Sequence, residues 1–215
     1  MGNKPPFGVK GFPTIKLDAN SPLYRLYKHI SRAPEIRTGW FFSSIGASRA
    51  GRFDLPQPHG TCYFSTGKFG AWSETFRGAA IVSRADVDCR TLLTATRTIK
   101  LRFADMADRA ATGFGVTLDD FSGDDYTRPQ AWALAFHAAK LGGVIALLRH
   151  DPSGQTRNVG VFGKSGSAKS VRGWQTTRAT LRSDMQLLSE LRKAGISVLE
   201  IPNDVVITPL QRLEH

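Results

Sequence analysis

Gly163-Lys164-Ser165 follows a predicted strand and has the ending of a phosphate-binding loop, in which backbone N–H groups cradle phosphates and the lysine reaches them. That pattern needs glycine five residues before Gly163, where Asn158 stands, and a helix afterwards, which the sequence does not predict. The five histidines, His29, His59, His137, His150 and His215, show neither HxxxH nor Cys–His spacing, so no zinc site is expected. His137, placed mid-helix among alanines, reads as a packed or surface residue rather than a base. No serine sits in the GxSxG turn that exposes a hydrolase nucleophile. Asp119-Asp120 and Asp124-Asp125 carry enough charge for a cation, but acids just ahead of a helix complement its dipole.

Charge narrows the partners. Lys plus Arg total 29 against 18 for Asp plus Glu, a net +11, and such a surface favours a nucleotide, a nucleic acid or an acidic protein. No Lys/Arg run reaches five, so direct binding of nucleic acid is not expected. A length of 215 residues suits one domain, and 41% hydrophobic with 22% charged residues excludes a mainly disordered chain. No apolar run approaches the ~20 residues of a membrane span. The start, Met1-Gly2-Asn3-Lys4-Pro5-Pro6, lacks the apolar core of a secretory signal. Two cysteines, Cys62 and Cys89, cannot build a disulfide framework. A cytoplasmic protein without a membrane partner is therefore expected.

The elements that must position any site come next. Residues 1–22 hold Pro5, Pro6, Pro13 and Pro22 and read as an extended arm rather than a packed element, ahead of a single domain over 23–212. Residues 213–215 (Leu-Glu-His) read as an expression-tag remnant. Leu23–His29, Gly60–Ser65, Thr98–Phe103, Val144–Leu148 and Asn158–Phe162 have the pattern of short strands. The Gly-, Ser- and aromatic-rich stretch 38–55 reads as a long loop of the kind that carries binding residues. Phe69, Trp72 and Phe76 recur at helical spacing within Lys68–Arg77, with Glu74 on a different face. A short helical pattern covers Asp105–Ala111. Thr127–Leu141 is the clearest helix, with a hydroxyl at its start, Pro129 in its first turn and Gly142-Gly143 as its stop. Residues 163–180 read as a basic loop, Met185–Lys193 as an amphipathic helix and Ser197–Ile207 as a last strand region. Strands and helices without regular βαβ alternation predict an α+β fold.

Four segments, taken in order, resemble the RES domain: Tyr24-Arg25-Leu26, Gly51-Arg52-Phe53-Asp54, Gly60-Thr61-Cys62-Tyr63-Phe64-Ser65 and the helix bearing Glu74. Later segments fit as well, namely Asp124-Asp125-Tyr126-Thr127, Gln130-Ala131-Trp132, Arg149-His150-Asp151-Pro152 and Val159-Gly160-Val161-Phe162-Gly163. The resemblance covers about residues 22–163. It implies an ADP-ribosyltransferase-like single domain with a distorted, split β-sheet flanked by helices. It also implies the activity of toxins that degrade NAD in bacterial toxin–antitoxin pairs, with NAD as substrate and no required cofactor. A cognate antitoxin protein is the partner so implied, and a second copy of the chain is a further one to test.

Residue by residue, Arg25 and Arg52 match the family's active-site arginines, Tyr63 its tyrosine and Glu74 its glutamate. Thr127 stands at a hydroxyl position where relatives often carry Ser, and Leu148 replaces a Ser often found ahead of the Arg-His-Asp-Pro block. In this reading Arg25 and Arg52 grip the diphosphate through paired charge-assisted bonds, with Tyr63 and Thr127 also contacting the dinucleotide. Cleaving the nicotinamide–ribose bond develops positive charge on the sugar, which the Glu74 carboxylate stabilises. Tyr63 offers a ring to stack on nicotinamide and a hydroxyl to orient it. Phosphate or water as acceptor gives phosphorolysis or hydrolysis, and a protein side chain gives ADP-ribosylation. A non-catalytic module holding an anionic partner is the reading from a different class. Convergence of Arg25, Arg52, Tyr63 and Glu74 on one cleft is the expectation that geometry tests.

Overall fold

In the computed structural model, residues 9–29, 39–46, 51–181 and 184–200 are described. The chain begins with β1 (Thr14–Lys16), β2 (Leu23–Lys28), β3 (Trp40–Phe42) and β4 (His59–Ser65). Helix α1 (Lys68–Phe76), β5 (Ile81–Ser83), α2 (Arg84–Asp88), β6 (Arg90–Arg97) and β7 (Arg102–Asp105) follow. A 3-10 turn at Arg109–Phe114 leads to α3 (Asp119–Ser122) and α4 (Thr127–Ala138). The chain continues through β8 (Gly143–Leu147), β9 (Arg157–Lys164), β10 (Gly166–Ala168), β11 (Trp174–Thr180), α5 (Met185–Lys193) and β12 (Ser197–Leu199). This is a mixed α+β domain with a large sheet flanked by helices.

The large sheet has the order β1-β7-β8-β9-β4-β2-β6-β11, in which only β7–β8 runs parallel. Its two halves meet at β4 and β2. There the register holds a single residue pair, Tyr24↔Ser65, whereas β4 and β9 pair over seven residues from His59↔Lys164 to Ser65↔Asn158. Arg25 Nη1 donates to the Tyr63 carbonyl oxygen at 2.9 Å, so a side-chain bond ties the strands where the ladder is shortest. The sheet is split, and the split lies beside Arg25.

Three apolar clusters hold the halves. Val144 and Ala146 of β8 point to one face, where Trp132, Ala133 and Phe136 of α4 cover them, while Ile145 points to the other with Val159, Val161 and Phe64. That alternation is the period of two expected of a strand buried on both faces. Trp40 and Phe42 of β3, paired with β10, close the second face. A third cluster packs Trp72 of α1 and Leu187 and Leu191 of α5 on Leu26 and Leu92.

Several elements depart from the sequence pattern. The proline-rich start contributes β1, which pairs with β7, and buries Phe12 against Trp132 and Phe136 (ring centroids 5.4 and 4.8 Å). Residues 9–22 are thus extended but packed. Buried Arg97 donates to the carbonyls of Leu17 and Leu101, fastening that segment to the sheet. Strands β5 and β6 also escaped the pattern, as did β10 and β11 within the stretch read as a basic loop. β11 (WQTTRAT) is mostly exposed and pairs over seven residues with β6, so backbone hydrogen bonding holds it and no apolar alternation marks it. The stretch 38–55 contains β3, and its residues 38 and 47–50 lie outside the described residues. The last strand covers Ser197–Leu199; residues 201–207 of that prediction, and 213–215, lie outside the described residues.

Candidate functional site

Asp54 organises the turn that presents Arg52. Its wholly buried carboxylate accepts from the Gly51 N–H (2.6 Å), Ser43 Oγ (2.7 Å) and Tyr63 Oη (2.7 Å). The Tyr63 hydroxyl in turn accepts from the Phe53 N–H at 2.8 Å. Gln130 Nε2 of α4 donates to the Gly51 carbonyl (3.1 Å), locking the turn to the helix layer. A Cβ at Gly51 would stand 2.4 Å from Tyr63 Oη and 2.7 Å from Asp54 Oδ1, so only glycine fits this approach. Burial and the neighbouring Asp54 charge push the Tyr63 phenol well above its ordinary value, and it stays un-ionised. Its hydroxyl is committed to the protein on both sides. The hydroxyl expected to orient a ligand is thus already engaged by Asp54 and the Phe53 N–H.

Arg25, Arg52, Tyr63 and Glu74 line one cavity of about 630 Å³ at the split. β2 supplies Arg25, β4 Tyr63 and α1 Glu74, on the side of that helix away from buried Trp72. The Arg52 guanidinium lies over the Tyr126 ring at 4.6 Å from its centroid. Buried Arg52 Nη1 and Arg25 Nε have no hydrogen-bond partner among the described residues. Unsatisfied guanidinium N–H groups in a cavity are suited to an anionic ligand. Burial lowers the Arg52 pKa, with Tyr126, Glu74 and Tyr63 pulling it back up. Glu74 stays open to solvent through the cavity mouth, yet protein atoms crowd around it and raise its carboxyl above the usual carboxylate range. The charges of His150 and Arg52 and the backbone amide of Arg149 oppose that rise. A concave wall permits both solvent access and desolvation.

Thr127 does not join them. It is exposed at the start of α4, where its N–H donates to Asp125 Oδ1 (2.8 Å), and the cavity receives its neighbour Tyr126 instead. Asp125, and not the Thr127 hydroxyl, thus meets the first N–H of the helix. Buried Ser65, on the next strand from β2, brings a hydroxyl side chain to the cavity lining, as Thr75 does from α1. Leu148 is buried beside Ser65: a Cβ placed on Gly70 would meet Ser65 Oγ at 2.1 Å and Leu148 Cδ1 at 3.0 Å.

Arg149 and His150 also line the cavity, though their segment drew notice only as a family motif. A basic pair directly after a buried strand is the signal that marks them. Arg149 pairs with Asp124 (3.0 Å), and Arg128 with wholly buried Asp120 (2.9 Å), so the acidic doublets anchor arginines. The His137 ring packs at a tilt against His59 (4.4 Å) and edge-on to Phe162 (5.8 Å), a packed role. No group of three metal-ligating side chains occurs among the described residues. Among those residues, no helix is long and apolar enough to cross a membrane.

The fold has a solved counterpart. The M.tuberculosis MbcT-MbcA toxin-antitoxin complex contains a chain that matches with a TM-score of 0.54 at 21% identity, over 84% of this chain and 92% of that one. No curated protein matches. The RES domain family matches residues 22–182, most of the chain and every residue of the cavity. This protein belongs to the RES domain family.

Proposed function

We propose that the protein degrades NAD by breaking the bond between nicotinamide and ribose, with phosphate or water as acceptor. The observation that carries this reading is the meeting of Arg25, Arg52, Tyr63 and Glu74 in one cavity, with guanidinium N–H groups unsatisfied. Arg25 and Arg52 hold the diphosphate, the part of the substrate whose charge and fork geometry they match. Nicotinamide lies against the Tyr63 ring, whose position Asp54 fixes. As the glycosidic bond lengthens, its electron pair leaves with nicotinamide and neutralises the pyridinium, while positive charge grows on the ribose. The Glu74 carboxylate faces that charge and stabilises it. Phosphate or water then attacks the anomeric carbon, and the attacking oxygen loses its proton when the acceptor is water. NAD is consumed as substrate, and the chemistry asks for no resident cofactor or metal.

The reading extends to a bacterial toxin acting in the cytoplasm and held by an antitoxin protein. Family membership and the toxin–antitoxin complex that shares the fold support it, and the net charge of +11 suits an acidic partner. Incubation with NAD, with and without phosphate, and resolution of the products test the enzyme. Stoichiometric nicotinamide with ADP-ribose or its phosphorylated form supports the reading. ADP-ribose attached to protein replaces it with a transferase, and absence of nicotinamide release under every condition leaves a binding module.

A further inference from the structure

A second cavity, of about 820 Å³, adjoins the first, and Tyr24 and His150 line both. Its walls come from the start of α1, the turn between β8 and β9, and α5 with the residues that follow it. The two cavities differ sharply in chemistry. Arg25, Arg52, Arg77 and Arg149 line the first. In the second, Lys68 and His150 are the basic side chains, and Lys68 Nζ is spent on Asp184 Oδ2 at 2.6 Å. The Asp151 carboxylate there is likewise engaged, by the hydroxyls of Ser153 and Thr156 and their backbone amides. Gln155, Gln186 and Glu190 remain, with no side-chain hydrogen bond among the described residues, together with the Phe69 ring. These are neutral amide donors and acceptors, one carboxylate acceptor and an aromatic face. Among the described residues, the basic side chains a phosphate could meet there are Lys68, already paired, and His150 at the boundary with the first cavity. A purine base and a ribose diol have partners for every polar edge, since amides pair with base edges, a carboxylate accepts from vicinal hydroxyls and a ring stacks on a base.

We propose that the second cavity is a nucleoside subsite that takes the adenosine half of a dinucleotide, past Tyr24 and His150, while the diphosphate stays against Arg25 and Arg52. This rests on NAD being the substrate of the first cavity. Glu190 holds the adenosine ribose, Gln155 and Gln186 meet the base, and Phe69 supports its face. The subsite makes the protein selective for dinucleotides over nicotinamide mononucleotide, which has the same scissile bond and nothing to place in the second cavity. Binding energy from this remote half serves mainly to capture substrate, so its loss raises KM more than it lowers kcat.

The test compares NAD with nicotinamide mononucleotide as substrates for wild type and for the double variant Gln186→Ala/Glu190→Ala, whose sites lie on α5, away from its buried Leu187 and Leu191. Wild type is expected to prefer NAD by at least about ten-fold in kcat/KM, and the double variant to lose about ten-fold on NAD through KM while its rate on the mononucleotide holds. Unchanged NAD kinetics, or equal losses on both substrates, overturn the subsite. If wild type cleaves neither substrate, the proposed activity fails by itself, and titration with adenosine reads the subsite directly. Binding to wild type that the double variant loses upholds it, and no binding to wild type overturns it.

Discussion

β4 is held to β9 by seven consecutive residue pairs and to β2 by one. On the β9 side, the Asp54 carboxylate, the Tyr63 hydroxyl and the Gly51 and Phe53 amides form a unit bonded to one another, which holds the turn that carries Arg52. On the β2 side, α1 presents Glu74 to an open cavity, and Arg25 crosses to β4 with part of its guanidinium unsatisfied. One half is built to stay fixed, and the other keeps bonding capacity in reserve. A sheet that parts between these halves can place a preorganised ring and arginine opposite a carboxylate without filling the space between them. Substitutions on the two sides should therefore fail differently.

The largest effect is expected at Glu74. Glu74→Gln should lower NAD turnover by about 10²–10³-fold, the usual loss when a preorganised charge facing a transition state is removed. Its melting temperature should not fall, because burial already favours the neutral form of this side chain. Turnover at the wild-type rate, or a loss that follows a lower melting temperature, would assign Glu74 a structural role.

On the fixed side, Asp54→Ala leaves the Gly51 N–H and the Ser43 and Tyr63 hydroxyls without their shared acceptor. A destabilisation of about 3 kcal/mol is expected, since each buried unsatisfied donor costs about 1–3 kcal/mol. Denaturant unfolding measures it, and a variant as stable as wild type would show that the unit does not hold the turn. Arg52→Ala should keep its stability and raise KM for NAD about ten-fold with a smaller change in kcat, as loss of a ground-state contact does. A fall in kcat alone would move Arg52 from binding to chemistry. Tyr63→Phe sharpens the contrast further. It keeps the ring and loses the bonds to Asp54 and Phe53, so it should cost about 1 kcal/mol of stability and change KM little. A large rise in KM would mean that the hydroxyl reaches the ligand.

The smallest effect is a displacement on the pH axis. Burial raises the Glu74 pKa, so the folded protein takes up this proton at a higher pH than an exposed glutamate does. Above that pKa the partly desolvated charge costs stability, and the cost disappears as pH falls through it. Activity needs the carboxylate, so the acid limb of the kcat profile should lie above the ordinary carboxylate range. Substituting His150, whose charge lowers the Glu74 pKa, should move that limb to still higher pH. A limb at the ordinary range that ignores His150→Ala would detach Glu74 from the titration.

Local pattern alone delivered α1, α4 and α5, and the strands around Leu26, Tyr63, Ile145 and Val161, because each buries a periodic apolar face against a partner. It missed β1, β3, β5, β6 and β10, and also the edge strand β11. The exposed edge strand is stabilised by backbone bonds to its neighbour, which leave no side-chain signature. It also set Phe12 outside the core, since proline spacing reports backbone extension and says nothing of what an extended segment packs against.

What the amino-acid order determined, through its resemblance to the RES domain, is which residues could form a site: Arg25, Arg52, Tyr63 and Glu74, spanning 49 positions. Whether they meet depends on one short strand pairing at Tyr24↔Ser65 and on the side of α1 that Trp72 leaves exposed. Tertiary structure also decided that Tyr126 and Ser65, and not Thr127, reach the cavity, and that the Tyr63 hydroxyl faces Asp54. The physical reason is that side-chain periodicity records how much of an element is buried, whereas the direction of a single polar atom is fixed by the nearest unsatisfied donor or acceptor, which long-range packing supplies.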